Sequence, residues 1–214
     1  MRQQPDYSVY LVTDRGLCAS GPLDEVVLRA VSGGASIVQL REKDTDTRGF
    51  VEFARALKAR LSLTGVPLLI NDRVDVALAC GADGVHVGQS DMLVPDVRGI
   101  MGRDAIIGLS VESLTHVAEA EEYGVDYMGV SPVFETPTKT DTSFPWGLEG
   151  LRVLRTRTLC PLVAIGGIDE HNAADVFEAG ADGVAVVSAI CASDDPKSAA
   201  AVLRRIAVEH RLQR

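Results

Sequence analysis

The feature of this sequence that most restricts its fold is a short pattern that returns four times. Gly34-Ala-Ser-Ile-Val, Gly81-Ala-Asp-Gly-Val, Gly124-Val-Asp-Tyr-Met and Gly180-Ala-Asp-Gly-Val each follow a helix-like stretch and precede or open a β-branched run. The glycine can end a helix in the left-handed conformation, and the small polar step after it turns the chain into a strand. The apolar runs fall at 9–13, 37–41, 68–71, 84–87, 106–110, 127–131, 162–166 and 184–188, so the four copies mark the second, fourth, sixth and eighth of them. A motif on every second β/α unit suits a barrel assembled from quarter- or half-repeats. Most runs are continuously apolar rather than alternating, as parallel strands covered on both faces are. Between them, 23–31, 49–61 and 199–210 carry apolar residues at three- and four-residue spacing, and 94–101 gives a weaker helical pattern. The expected fold is α/β, a single-domain (β/α)8 TIM barrel over residues 1–214. An open doubly wound sheet is the other arrangement of such units. The first strand, however, runs into Thr13-Asp14-Arg15-Gly16-Leu17-Cys18, which is not the G-x-G-x-x-G turn that usually marks that fold.

The chain has 214 residues, 46% hydrophobic and 24% charged, enough for one sizeable core. A formal net charge of -9 argues against a nucleic-acid partner. It leaves room for a phosphorylated small molecule, because a few basic residues gathered at one mouth suffice to hold one. No apolar run reaches the roughly 20 residues that span a bilayer, so no membrane segment is expected. The polar opening from Met1 to Asp6 has no signal- or transit-peptide pattern. Cys18, Cys80, Cys160 and Cys191 lie far apart with no C-x-x-C pair. They read as reduced, mostly buried thiols in a cytoplasmic protein.

In such a barrel the chemistry collects at the C-terminal ends of the strands. The second strand ends in Gln39-Leu-Arg41-Glu42-Lys43. Alternate residues share a face, so Gln39, Arg41 and Lys43 suit a polyphosphate; a solvated strand end with a salt bridge to Glu42 is the alternative. The third strand ends in Asn71-Asp72, and His86, Gln89 and Asp91 come with the fourth. Two carboxylates on adjacent strand ends suit a magnesium ion completed by water and phosphate. Alone, Asp72 could be a helix cap and Asp91 a turn residue. His86 sits in an apolar run, one residue off the parity of the strand-end set, and reads first as a buried, hydrogen-bonded structural residue. The fifth strand ends at Ser110, and a long loop after the sixth holds Thr136, Thr138 and Lys139, a set that can wrap an oxyanion. Trp146 in that loop is expected to be a packing anchor. Gly166 and Gly167 after the seventh strand and Ser188 at the end of the eighth suit a backbone-lined monophosphate site. No Ser-His-Asp or Cys-His pair stands out, which points to group transfer by stabilising a leaving group.

The segments Gln39-Leu-Arg-Glu-Lys43, Ile70-Asn-Asp72, Asp83-Gly-Val-His-Val-Gly-Gln-Ser-Asp91, Thr136-Pro-Thr-Lys139, Ala164-Ile-Gly-Gly-Ile168 and Gly180-Ala-Asp-Gly-Val184 resemble those of thiamine phosphate synthases, in the same order. The resemblance implies a transferase that joins 4-amino-2-methyl-5-(diphosphooxymethyl)pyrimidine to thiazole phosphate. It implies pyrimidine-diphosphate contacts from Gln39, Arg41, Lys43, Asn71, Ser110 and Lys139, with Arg41, Lys43, Lys139 and Ser110 as the catalytic set. It further implies Mg2+ on Asp72 and Asp91, and thiazole-phosphate contacts from Thr136, Thr138, Gly167, Val187 and Ser188. Family habit suggests a homodimer. Two departures stand out: Ser131 replaces a glycine of many relatives, and Glu112 replaces a histidine. A histidine near that point is the proton carrier implied for the related thiazole tautomerases. A tautomerase, another phosphate-binding barrel isomerase, or a non-catalytic thiazole-phosphate binder are the competing functions.

Overall fold

A computed structural model of the chain describes residues 4–135 and 145–212. The strands are β1 (Val9–Val12), β2 (Ile37–Leu40), β3 (Leu68–Asn71), β4 (Gly84–Val87), β5 (Ile106–Val111), β6 (Tyr127–Val130), β7 (Leu162–Ile165) and β8 (Gly183–Val186). Each pairs in parallel with the next, and β8 closes on β1. The helices are α1 (Leu23–Gly33), α2 (Thr47–Leu61), α3 (Val74–Cys80), α4 (Val94–Met101), α5 (Leu114–Tyr123), α6 (Gly147–Arg155), α7 (Ala173–Glu178), α8 (Ser188–Cys191) and α9 (Pro196–Leu212). The chain is thus a (β/α)8 barrel, as the alternation predicts. Among the described residues, no helix is long and apolar enough to cross a membrane.

The repeated pattern has a physical task. Its third residue grips both backbone groups of one residue on the preceding strand. The amides of Ser36, Asp83, Asp126 and Asp182 donate to the carbonyls of Val9, Leu68, Ile107 and Leu162 at 2.8, 2.9, 2.8 and 2.8 Å. Their side chains accept from the amides of the same four residues at 3.1, 2.7, 2.8 and 2.8 Å. The three aspartates also bind a cation from an outer helix: Lys58 at 2.6 Å, Arg98 at 2.8 Å and Arg155 at 2.7 Å. Gly34, Gly81 and Gly124 close α1, α3 and α5 in the left-handed conformation that the pattern requires. Every second strand is therefore locked in register to its neighbour.

Two apolar layers result. The outer one, between strands and helices, holds Val9, Leu11, Val38, Leu40, Phe50, Leu57 and their neighbours. The inner one fills the barrel with Tyr7, Tyr10, Val12, Ile37, Leu69, Ile106, Tyr127, Val163 and Ala185. Three tyrosines are bulky for such an interior, and inward-facing glycines make room for them. A Cβ on Gly108 would overlap the Tyr127 ring, and one on Gly183 would overlap the Tyr7 carbonyl. The ring centroids of Tyr7 and Tyr10 lie 5.0 and 5.6 Å from that of Tyr127. This aromatic plug forms a floor, and the cavity opens above it at the C-terminal ends of the strands.

Candidate active site

That cavity has a volume of about 720 Å³. One wall carries Gln39, Arg41, Lys43, Asn71, Asp72, Asp91 and Ser110, and the opposite wall carries Gly166, Gly167, Val187 and Ser188. The structure thus brings these eleven residues, all singled out from the sequence, around one space. Thr136, Thr138 and Lys139 lie outside the described residues.

Among the described residues the cations are poorly neutralised, as a site for a polyanion requires. Glu42 does not pair with Arg41 or Lys43; it binds Arg15 at 2.7 Å, and Arg15 stacks on Phe53. Among the described residues, Arg41 meets only the Asp14 carboxylate, at 3.7 Å. Its amide donates to Thr13 Oγ1 at 3.0 Å, which fixes the bend at which β2 ends and lets Arg41 and Lys43 both reach the cavity.

Asp72 caps no helix. Arg73 occupies the cap position of α3, and no side chain caps that helix end. Asp72 instead adopts φ 63°, held by its amide donating to the His86 carbonyl at 2.8 Å. Asn71 Nδ2 donates to its carboxylate at 2.6 Å. Asp91 does serve its turn, since it accepts from the Gly88 amide at 2.7 Å, but it also faces Asp72. Burial, and then the charge of Asp91, push the Asp72 carboxyl up from 3.8 to about 6, against the pull of Asn71 and Arg41. Two carboxylates held together without a neutralising cation are what a divalent ion relieves. Among the described residues no group of three or more His, Cys, Asp or Glu could hold a metal. The donor set therefore fits an ion that takes most of its shell from water and phosphate, and does not fit a structural zinc site.

On the opposite wall the strand expectation is corrected. β8 ends at Val186, Val187 turns out of the extended conformation (φ -112°, ψ -79°), and Ser188 opens the short helix α8. Gly166 and Gly167 have φ 107° and 63°. A Cβ would stand 2.8 Å from Pro132 Cβ at the first and 2.8 Å from the Glu135 carbonyl at the second. Close approach to the segment after β6 thus demands these glycines in its own right, alongside the exposed backbone they offer to an anion.

His86 departs from its expected place. The alternation holds only while the chain is extended, and the turn at Gly88 breaks the parity between β4 and Asp91. Within β4 the imidazole points inward, level with Asn71, and lines the cavity. It sits between Tyr127 Oη, 2.8 Å from Nδ1, and Ser110 Oγ, 2.9 Å from Nε2. Sequence reasoning also missed Tyr10, Tyr127, Ser131 and Glu112 as cavity walls. Glycines inside otherwise aliphatic strands, at Gly108 and Gly129, were the available signal, since they mark where a large side chain crosses the barrel. A Cβ on Gly129 would stand 2.8 Å from His86 Cε1. Trp146 packs on the core, and its Nε1 donates to the Val111 carbonyl at 3.3 Å, as an anchor should.

Residues 9–190 match the family model described as thiamine monophosphate synthase. The thiamine-phosphate synthase of Albidiferax ferrireducens is 59% identical over 199 residues, covering 92% of this chain and 90% of its own. That of Leptospira biflexa is 56% identical over 200 residues, covering 92% and 95%. Among solved structures, a thiamine phosphate pyrophosphorylase from Pyrococcus furiosus superposes with a TM-score of 0.88 at 39% identity, covering 97% of this chain and 98% of that one. The barrel, the two-walled cavity and these likenesses agree, and the chain belongs to the thiamine monophosphate synthase family.

Proposed function

We propose that this chain condenses 4-amino-2-methyl-5-(diphosphooxymethyl)pyrimidine with thiazole phosphate, giving thiamine phosphate and diphosphate. The observation that carries the reading is the gathering of Arg41, Lys43 and the carboxylate pair Asp72 and Asp91 on one cavity wall, in a chain of this family. On this reading Gln39, Asn71 and Ser110 orient the pyrimidine diphosphate, while Arg41, Lys43 and Lys139 stabilise the departing charge. Thr136, Thr138, Gly167, Val187 and Ser188 hold the thiazole phosphate opposite. A magnesium ion on Asp72 and Asp91 supplies further neutralisation of the diphosphate. The bond from the pyrimidine methylene carbon to oxygen breaks and its electrons leave with diphosphate. The methylene cation, stabilised by the ring amino group, is then captured by the thiazole nitrogen. The protein's share is alignment, charge stabilisation and exclusion of water, with no protein nucleophile. The same reading takes residues 1–214 as one domain, and the protein as cytoplasmic and a homodimer.

A tautomerase, another barrel isomerase or a silent binder would need the phosphate wall alone and would leave the cation and carboxylate set without a task. The test is to mix the purified protein with both substrates, with and without magnesium, and to detect thiamine phosphate as fluorescent thiochrome. Magnesium-dependent product supports the reading. A folded protein that binds thiazole phosphate but forms no product overturns it.

A further inference from the structure

A line of side chains crosses the floor of the cavity from β2 to β5; its ends, Gln39 and Ser110, have roles above, and the three residues that join them have none. Gln39 Nε2 donates to Tyr10 Oη at 2.8 Å. Tyr10 Oη lies 2.7 Å from Tyr127 Oη, Tyr127 Oη lies 2.8 Å from His86 Nδ1, and His86 Nε2 lies 2.9 Å from Ser110 Oγ. Both tyrosines are 1% exposed. Burial raises both phenols far above their ordinary range, so each keeps its proton. A buried hydroxyl proton needs an acceptor. Tyr10 Oη already accepts from the Gln39 amide, and the partner left for its proton is Tyr127 Oη. The Tyr127 proton then goes to His86 Nδ1. An imidazole that accepts at Nδ1 carries its proton at Nε2, where Ser110 Oγ receives it.

We propose that this chain has a single polarity, set by the Gln39 amide, which fixes His86 as the Nε2-protonated tautomer and makes Ser110 a hydrogen-bond donor to the substrate. Tyr10, Tyr127 and His86 are positioning residues: they act through Ser110, the group that reaches the cavity. With its oxygen occupied by the imidazole N–H, the serine directs its own proton at an acceptor atom of the pyrimidine diphosphate. With the Gln39 amide oriented as it is, the reverse polarity would make Ser110 an acceptor and leave the Tyr10 proton without a partner among the described residues. The inner-barrel packing serves the same end, because Gly108 and Gly129 are the positions that let the Tyr127 ring and the imidazole meet. This inference rests on the proposed substrate role of Ser110, but its structural half stands apart from it.

Two measurements test it. In the uniformly 15N-labelled protein, long-range 1H–15N correlations report the protonation of each ring nitrogen of the four histidines, and His86→Gln assigns the signal. A proton on Nε2 with none on Nδ1 is expected, and a proton on Nδ1 overturns the proposal whatever the variants do. Ser110→Ala, Tyr127→Phe and the double variant are then compared in the thiamine phosphate assay. Tyr127→Phe is expected to lower kcat about five- to tenfold with both KM values within about twofold, and to add no further loss on top of Ser110→Ala. Losses that multiply, or a wild-type kcat in Tyr127→Phe, would show that the phenol does not act through the serine. A wild-type protein that forms no thiamine phosphate sinks the proposed function and leaves the imidazole result to decide the polarity.

Discussion

Replacing Asp72 by Asn should make the metal-free protein more stable while destroying its use of magnesium. The two side chains have nearly the same shape, and Asn tolerates the φ of 63° at this position as well as Asp does. The amide oxygen can still accept from Asn71. What disappears is the charge beside Asp91. A carboxyl displaced from 3.8 to about 6 opposes folding above that pH by roughly 3 kcal/mol in a dry site. Asp72 is partly open to water, which screens the repulsion, so about 1 kcal/mol is the expected size. The sign follows from proton binding. Between the two values the folded protein holds a proton that the unfolded chain has lost, so wild-type stability falls as pH rises through that window. In EDTA at pH 8, Asp72→Asn should therefore melt about 2–4 °C above wild type, and the gap should close below pH 4. Added magnesium should raise the wild-type midpoint in proportion to the logarithm of its concentration and leave the variant unmoved. Differential scanning fluorimetry across pH and magnesium reads both effects. A variant less stable than wild type in EDTA at pH 8 would refute the view of Asp72 and Asp91 as a like-charge pair awaiting a cation.

The remaining expectations concern the frame. Asp182→Ala strips the Leu162 amide of its side-chain acceptor and Arg155 of its counter-ion, and should cost about 2–3 kcal/mol in urea denaturation; a loss under about 0.5 kcal/mol would mean that the repeat does not lock register. Gly108→Ala drives a methyl into the Tyr127 ring and should cost about 2–4 kcal/mol and disorder the floor, seen as a changed near-ultraviolet circular dichroism spectrum; an unchanged spectrum and midpoint would refute the packing argument. Burial raises the Asp6 carboxyl, but the Ser8 hydroxyl and the Arg204 guanidinium outweigh it and hold it well below the usual range. That stability is present above about pH 4 and is lost as pH falls toward the depressed value. Asp6→Asn should therefore melt below wild type at pH 7, and the deficit should shrink on acidification below about pH 4; a constant deficit would exclude the ion pair as its cause.

The limits of the strands and helices were largely legible. The runs at 68–71 and 84–87 and the helix at 94–101 coincide with β3, β4 and α4, because continuous apolar runs and glycine stops are local signals. Where the chain leaves a strand was less so. Val187 bends away before Ser188, a turn that depends on what packs around it and not on its own propensity. The charged wall was legible because Gln39, Arg41 and Lys43 fall at alternate positions and Asp72 directly follows the third apolar run. The parity of Gln89 and Asp91 does not extend back to His86, because the turn at Gly88 breaks the alternation.

The sequence by itself determined the alternation of elements, the four glycine-led turns into every second strand, and the chemical types available at the strand ends. These follow from patterns a few residues long, which need nothing from distant parts of the chain. Tertiary structure alone decided which side chains meet inside the barrel. Gln39, Tyr10, Tyr127, His86 and Ser110 come from five separate strands, and only closure and stagger bring them within hydrogen-bond distance. The approach of Asp72 to Asp91 is of the same kind, since it depends on the backbone conformation of one and the turn around the other, set by packing and not by spacing.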